Sequence, residues 1–278
     1  MSIEWSLVFF TLFVGLAAGV FTGIAISEWT GGAVKQIRYP GAVLTLAALV
    51  IGGVSGVLHL GHPERIFGAL EKPGSGIFME ALLIGVFGLL VIFYLLALRR
   101  GASELVCKML ATFGAIPAVW LAFAVGQTYM MPSRPAWDTS HIPFLYLISA
   151  ALMGWFCIAT LLSGIEEHPS EMVFRNCLFF IVVFQITYTG WYVRYLSRAP
   201  YHDYSRSASR VLMGDLAPLF WIGVVLLGIL VPWLVFLSGI KKSKLRANAR
   251  YGLICVLLGG IAFRAMMFLL GSPVRNFF

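Results

Sequence analysis

The sequence predicts an all-α, polytopic membrane protein with eight transmembrane helices in a single integral membrane domain, residues 1–278. The first observation is composition: 60% of the residues are hydrophobic and only 12% are charged, whereas a soluble domain carries about 25% charged residues. The second is a mean hydropathy of +0.89. The third is that apolar runs of about 20 residues, the length needed to span a bilayer, recur along the whole chain.

Eight such runs can be delimited. The residues before the first run include Glu4 and no basic cluster, so we expect this run to be a transmembrane helix rather than a cleaved signal peptide. Pro117 and Pro232 fall inside runs, where membrane helices tolerate kinks. The predicted spans are roughly 4–29, 39–61, 75–98, 106–131, 143–164, 173–195, 216–239 and 250–271.

Small residues recur at four-residue spacing in the first two spans. Gly15, Gly19 and Gly23 follow this spacing in the first, and Gly52 and Gly56 in the second. The pattern is typical of helices whose backbones pack closely in a membrane.

Basic residues predict the orientation. Eight spans place both termini on one side, and eleven Lys and Arg lie near the opposite side, against eight near the termini. Since cytoplasmic loops are enriched in these residues, we expect both termini to lie on the outer side.

Charge and cysteine content exclude several classes. The net charge of +8 comes mainly from residues at the ends of spans, where they contact lipid headgroups, so no nucleic-acid partner is expected. The four cysteines lie in different spans without metal-ligand spacing. We therefore expect no metal site and no iron–sulfur cluster bound by this chain.

Four polar residues lie unusually deep in the predicted spans: His59, Glu80, Gln127 and Arg264. Their depths from the side of the termini agree to within about 10 Å. Because ionisable groups inside a membrane are costly, this layer is a candidate functional site. A structural ion pair between Glu80 and Arg264 remains the alternative.

The histidines argue against haem as the ligand of this layer. His62, His141, His168 and His202 fall in predicted loops, which leaves His59 alone near a span, whereas di-haem cytochromes need axial histidines on facing helices. A quinol fits better, because its hydroxyls need proton acceptors beside an apolar slot.

The stretch "SGVLHLGHPERIFGALEKPGSGIFMEALL" resembles the membrane anchor subunits of the anaerobic dimethyl sulfoxide reductase family. The family pattern is Leu-His-Leu-Gly-x-Pro-x-Arg, followed by a Glu early in the next helix. "GGIAFRAMMFLLG" is similar to the last helix of the family and contains Arg264. The matching residues of the first stretch are Leu58, His59, Leu60, Gly61, Pro63, Arg65 and Glu80, with Ser55 one turn before His59.

The resemblance implies a quinol-oxidising anchor in the cytoplasmic (inner) membrane of a prokaryote. Such subunits oxidise menaquinol, carry no haem and pass electrons to an iron–sulfur subunit, which joins a molybdopterin catalytic subunit. They are not catalytic alone. His59 would contact a quinol oxygen, Glu80 would accept or relay a proton, and Ser55 and Arg65 would support them. We add Gln127 and Arg264 as quinol-binding candidates because of their depth.

Other functions remain open. A polysulfide or nitrite reductase-type anchor shares a related architecture. A small transporter should show a polar path across the bilayer, and a purely structural anchor would not need Glu80. The stretch "RYLSRAPYHDYSRSASRVLMGD" is predicted to be a long outer loop that docks the iron–sulfur partner.

Overall fold

The computed structural model describes residues 3–30, 34–59, 73–164, 171–198, 202–240 and 244–270, and these residues form an all-α bundle. Eight of the helices are long and apolar enough to cross a membrane, as predicted. The spanning helices are α1 Trp5–Thr30, α2 Val34–His59, α3 Gly76–Arg99, α4 Glu104–Thr128, α5 His141–Leu161, α6 Glu171–Arg198, α8 and α9 Lys244–Leu270. Helix α8 is π-helical over Leu219–Leu230 and α-helical over Val231–Ile240. The short α7, His202–Leu212, precedes α8.

Helix α1 forms the centre of the bundle and packs against α2, α4 and α5. Its glycines make this possible. A Cβ atom on Gly19 would lie 2.0 Å from the carbonyl oxygen of Ala150, and one on Gly23 would lie 2.8 Å from Ile158 Cγ1. Gly154 faces Gly19 from α5. The predicted small-residue spacing is therefore confirmed as a backbone-to-backbone contact between α1 and α5.

Gly19→Ala is expected to destabilise the bundle by about 1–3 kcal/mol, because the added methyl group must separate two backbones in contact. Gly53→Ala is the matched control, since nothing lies within 4 Å of a Cβ atom there. Thermal unfolding in detergent measures both variants. Equal melting temperatures would contradict the close contact.

The segment between α6 and α8 departs from the predicted loop. The structure shows α7 there, with Val211 and Ala208 buried. Arg210 joins α7 to Asp215 through two hydrogen bonds of 2.9 and 2.8 Å, and to the carbonyl of Leu269 on α9 at 3.2 Å. The hydrogen bond from Arg210 holds the pKa of the Asp215 carboxyl below its usual range. Apolar residues recur in this segment at the spacing of an amphipathic helix, a signal that the prediction overlooked.

The seventh span is also irregular, since its first twelve residues are π-helical. The amide of Val231 donates to the carbonyl of Leu226, five residues earlier. Pro232, which lacks an amide hydrogen, follows directly. Gly228 in this segment approaches Gly259 of α9 so closely that a Cβ atom on Gly259 would lie 2.7 Å from Gly228 Cα.

Candidate quinol site at the end of the bundle that carries the termini

His59 is the last residue of α2, at the membrane end that also carries the start of α1. Its Nδ1 lies 3.7 Å from Glu4 Oε2, and its side chain is 36% exposed. Ser55, one turn earlier, donates to the carbonyl of Ile51 at 2.8 Å. The two predicted residues therefore share one face of α2. Glu4 was missed as a partner, although the antiparallel order of α1 and α2 brings the start of one helix beside the end of the other.

Glu80 is buried in the first turns of α3, about 6 Å beyond the first residue of the helix. Its carboxyl group lies close to the side chain of Thr128 at the end of α4, whose hydroxyl donates to the carbonyl of Ala124 at 3.0 Å. Gly76 permits this approach, because a Cβ atom there would lie 2.8 Å from Thr128 Oγ1. Ser75 caps the helix by accepting from the amide of Phe78 at 3.2 Å. Neither Thr128 nor Gly76 was predicted as part of the site.

No basic side chain within the described residues forms an ion pair with Glu80. A buried carboxyl group is costly unless it is paired or hydrogen-bonded. Its burial makes Glu80 a candidate functional residue.

Arg264 does not pair with Glu80, so the alternative of a structural ion pair is wrong. Its guanidinium is fully buried and donates to Thr11 Oγ1 at 3.0 Å, the Thr11 carbonyl at 3.2 Å, Ser149 Oγ at 3.3 Å and the Gly260 carbonyl at 3.0 Å. It also lies over the ring of Tyr146, 5.1 Å from the centroid. Arg264 therefore joins α1, α5 and α9 from inside the bundle.

Aromatic rings close the bundle above Arg264. Tyr129 stacks on Tyr146 with ring centroids 5.8 Å apart and contacts Trp137 and Phe268 edge-on. The Trp137 indole donates to the carbonyl of Met267 at 2.8 Å. Burial raises the pKa of the Tyr129 hydroxyl well above its usual range, so this group stays neutral. The aromatic layer shields the buried guanidinium from water.

The remaining predicted residues are not gathered around one point in the described structure. Gln127 is exposed at the end of α4, next to Thr128. Arg65 lies outside the described residues. Quinol binding by these six residues therefore stays a prediction, in which His59 and Glu80 occupy the ends of two consecutive helices.

Two histidines were placed in loops incorrectly. His141 is the first residue of α5 and His202 the first of α7. The His141 Nδ1 lies 2.6 Å from Thr139 Oγ1, and the imidazole packs near the rings of Tyr188, Trp191 and Tyr195. His141 therefore lies at a helix end like His59, but among α5 and α6 aromatic residues.

A second buried polar cluster lies at the opposite end of the bundle. Arg38 donates to both carboxylate oxygens of Glu28, at 2.7 and 2.5 Å, and the hydroxyl of Tyr94 donates to Glu28 at 2.5 Å. These side chains tie α1, α2 and α3 together. Buried polar groups thus occur at both ends of the bundle, not in one layer as predicted. The prediction missed this cluster because it treated Arg38 only as a residue that marks the orientation of the chain.

The absence of a metal site stays a prediction. Within the described residues no three His, Cys, Asp or Glu side chains come together to hold a metal ion. Cys107 and Cys157 are buried free thiols, whereas Cys177 and Cys255 are half-buried. That the chain binds no haem also stays a prediction.

Comparison with known proteins identifies the family. The family model described as DMSO reductase anchor subunit (DmsC) matches residues 1–248. This chain belongs to that family. It is 25% identical over 185 residues to an anaerobic dimethyl sulfoxide reductase subunit of Haemophilus influenzae, an alignment that covers 65% of this chain and 66% of the relative. It is 24% identical over 273 residues to the anaerobic dimethyl sulfoxide reductase subunit YnfH of Escherichia coli, covering 95% and 94%.

Proposed function

We propose that this DMSO reductase-type anchor subunit oxidises menaquinol at the end of the bundle that carries His59 and Glu80. The observation that carries the proposal is the Glu80 carboxyl, which is buried near the start of a membrane-spanning helix. A carboxyl group in this setting can accept a proton from a hydroxyl of the quinol.

The reaction assigns distinct tasks to the two residues. Oxidation breaks both O–H bonds of the quinol, releasing two protons and two electrons. His59 would accept a hydrogen bond and then the proton from one hydroxyl, and Glu80 would take the proton of the other. Because both residues lie near the end of a span, the protons have a short route to water on that side.

We propose that this chain binds no redox centre of its own. The electrons of the quinol must therefore pass to a partner subunit. The partner is an iron–sulfur subunit on the same side, which passes electrons to a molybdopterin catalytic subunit. We propose that α7 and the adjoining segment form its docking surface. Met213 is 91% exposed there, beside the hydrogen-bonded pair of Arg210 and Asp215. With the termini outward, the complex faces the outside of the inner membrane of a prokaryote.

His59→Arg tests the position of the quinol. We expect binding of a quinol analogue to membranes that carry the complex to weaken at least about tenfold, which corresponds to losing one hydrogen bond of about 1.4 kcal/mol. His141→Gln is the matched control, because it changes a histidine at the same end of the bundle beside α5 and α6 aromatics. Unchanged binding in His59→Arg, or loss only in His141→Gln, would refute the assignment.

A further inference from the structure

An apolar groove of about 330 Å³ lies between α1, α4, α5 and α6. Small residues of α1 form its floor, and larger side chains of α6 form one wall. Several lining side chains are exposed on the surface of the bundle, including Phe180 at 58% and Val119 at 39%. The groove therefore opens toward the lipid. Residues along its length include Ala18, Gly19, Gly23, Val119, Ala151 and Phe180.

One end of the groove leads to a lysine. On α1 the lining ends at Ile26, and Trp29 follows three residues later on the same face. On α4, Thr112 and Lys108 continue the face that carries Val119. The Trp29 indole donates to Thr112 Oγ1 at 2.9 Å, and the ammonium group of Lys108 lies 5.5 Å from the centroid of the Trp29 ring system.

No ion pair joins Lys108 to a carboxylate within the described residues, and Glu104, with which it interacts electrostatically, is shared with Lys35. Glu104, one turn before Lys108, is paired with Lys35 at 2.7 Å. Glu28 forms an ion pair with Arg38 and accepts a hydrogen bond from Tyr94. Lys108 thus presents a positive charge, positioned by an aromatic ring, at the interfacial end of an apolar groove. This combination is complementary to a phosphate group attached to a hydrocarbon chain.

We propose that the groove binds one anionic phospholipid, with an acyl chain along α1 and α4 and its phosphate at Lys108. A menaquinol tail is the less suitable occupant. Lys108 and Thr128, which lies close to Glu80, are twenty residues apart on α4, about 30 Å along the helix axis. A quinol whose headgroup lay at Lys108 would be on the wrong side of the membrane to reach Glu80.

The test measures phosphatidylglycerol retained by the purified complex in mild detergent, using native mass spectrometry and lipid extraction. Lys108→Gln is expected to lower retention about fivefold, which corresponds to losing about 1 kcal/mol of attraction between the lysine and the phosphate of the bound lipid. Arg250→Gln is the control, because Arg250 also lies over an aromatic ring, that of Tyr251, at the same end of the bundle. Its retention should equal wild type.

Ala151→Phe tests the groove independently of the charge. The larger side chain should fill the groove and displace the lipid, whereas Val50→Phe, on the exposed face of α2, should not. Equal retention in Lys108→Gln and wild type would overturn the proposal. So would loss of quinol affinity in Ala151→Phe with phosphatidylglycerol unchanged, which would make the groove a site for the quinol tail.

Discussion

Glu80→Gln is expected to lower quinol-linked reduction by the complex at least about 100-fold, the usual minimum contribution of a positioned proton acceptor. Glutamine keeps the size of the side chain and can still form hydrogen bonds, but it cannot take up a proton. Assembly on the membrane should therefore persist. The measurement compares turnover with a menaquinol analogue against turnover with an artificial donor that reduces the catalytic subunit directly.

Two further variants sharpen this result. Glu80→Asp keeps a carboxyl group on a shorter side chain and should retain measurable quinol turnover. Glu104→Gln removes an exposed carboxylate at the opposite end of the bundle, where it pairs with Lys35, and should behave as wild type. Quinol turnover at the wild-type rate in Glu80→Gln would exclude Glu80 as the proton acceptor.

Arg264→Ala is expected to destabilise the bundle by about 3 kcal/mol or more. The change empties the volume of a fully buried side chain and leaves the hydroxyls of Thr11 and Ser149 without their donor. Lysine should restore only part of the stability, because a compact ammonium group cannot reproduce the planar fork of donors or the stacking on Tyr146. Thermal unfolding of the purified complex measures both variants.

Arg250→Ala is the control for this experiment, since the Arg250 side chain is exposed over Tyr251. Surface contacts of this kind contribute little, so its unfolding temperature should match wild type. If Arg264→Ala were as stable as wild type, the cost of burying the guanidinium would equal the gain from its hydrogen bonds. Arg264 would then have no net effect on stability.

The membrane fold could be predicted because each span is a local property. About 20 apolar residues are needed to cross a bilayer wherever they occur in the chain. The regular spacing of Gly15, Gly19 and Gly23 likewise marked the face of α1 that packs closely, and the structure places α5 against it. The compact motif around His59 was sufficient to indicate the family, which the comparison over residues 1–248 confirms.

The partners of the deep polar residues could not be predicted in this way. The sequence placed Glu80 and Arg264 at similar depth, but depth along a helix does not specify which way a side chain points around the helix axis. The rotation and neighbours of each helix turn Glu80 toward Thr128 and Arg264 toward Thr11 and Ser149. The same holds for Glu28, which finds Arg38 and Tyr94 on two other helices.

By itself, then, the sequence determined a bundle of eight membrane-spanning helices, the close packing face of α1 and the residues at which quinol chemistry is expected. Only the tertiary structure decided that Glu80 lies beside Thr128, that Arg264 is held by hydroxyl and carbonyl groups, and that α8 begins as a π-helix. The physical reason is that lipid acts on every residue of a span according to its own polarity. Hydrogen bonds between helices depend instead on where distant parts of the chain meet.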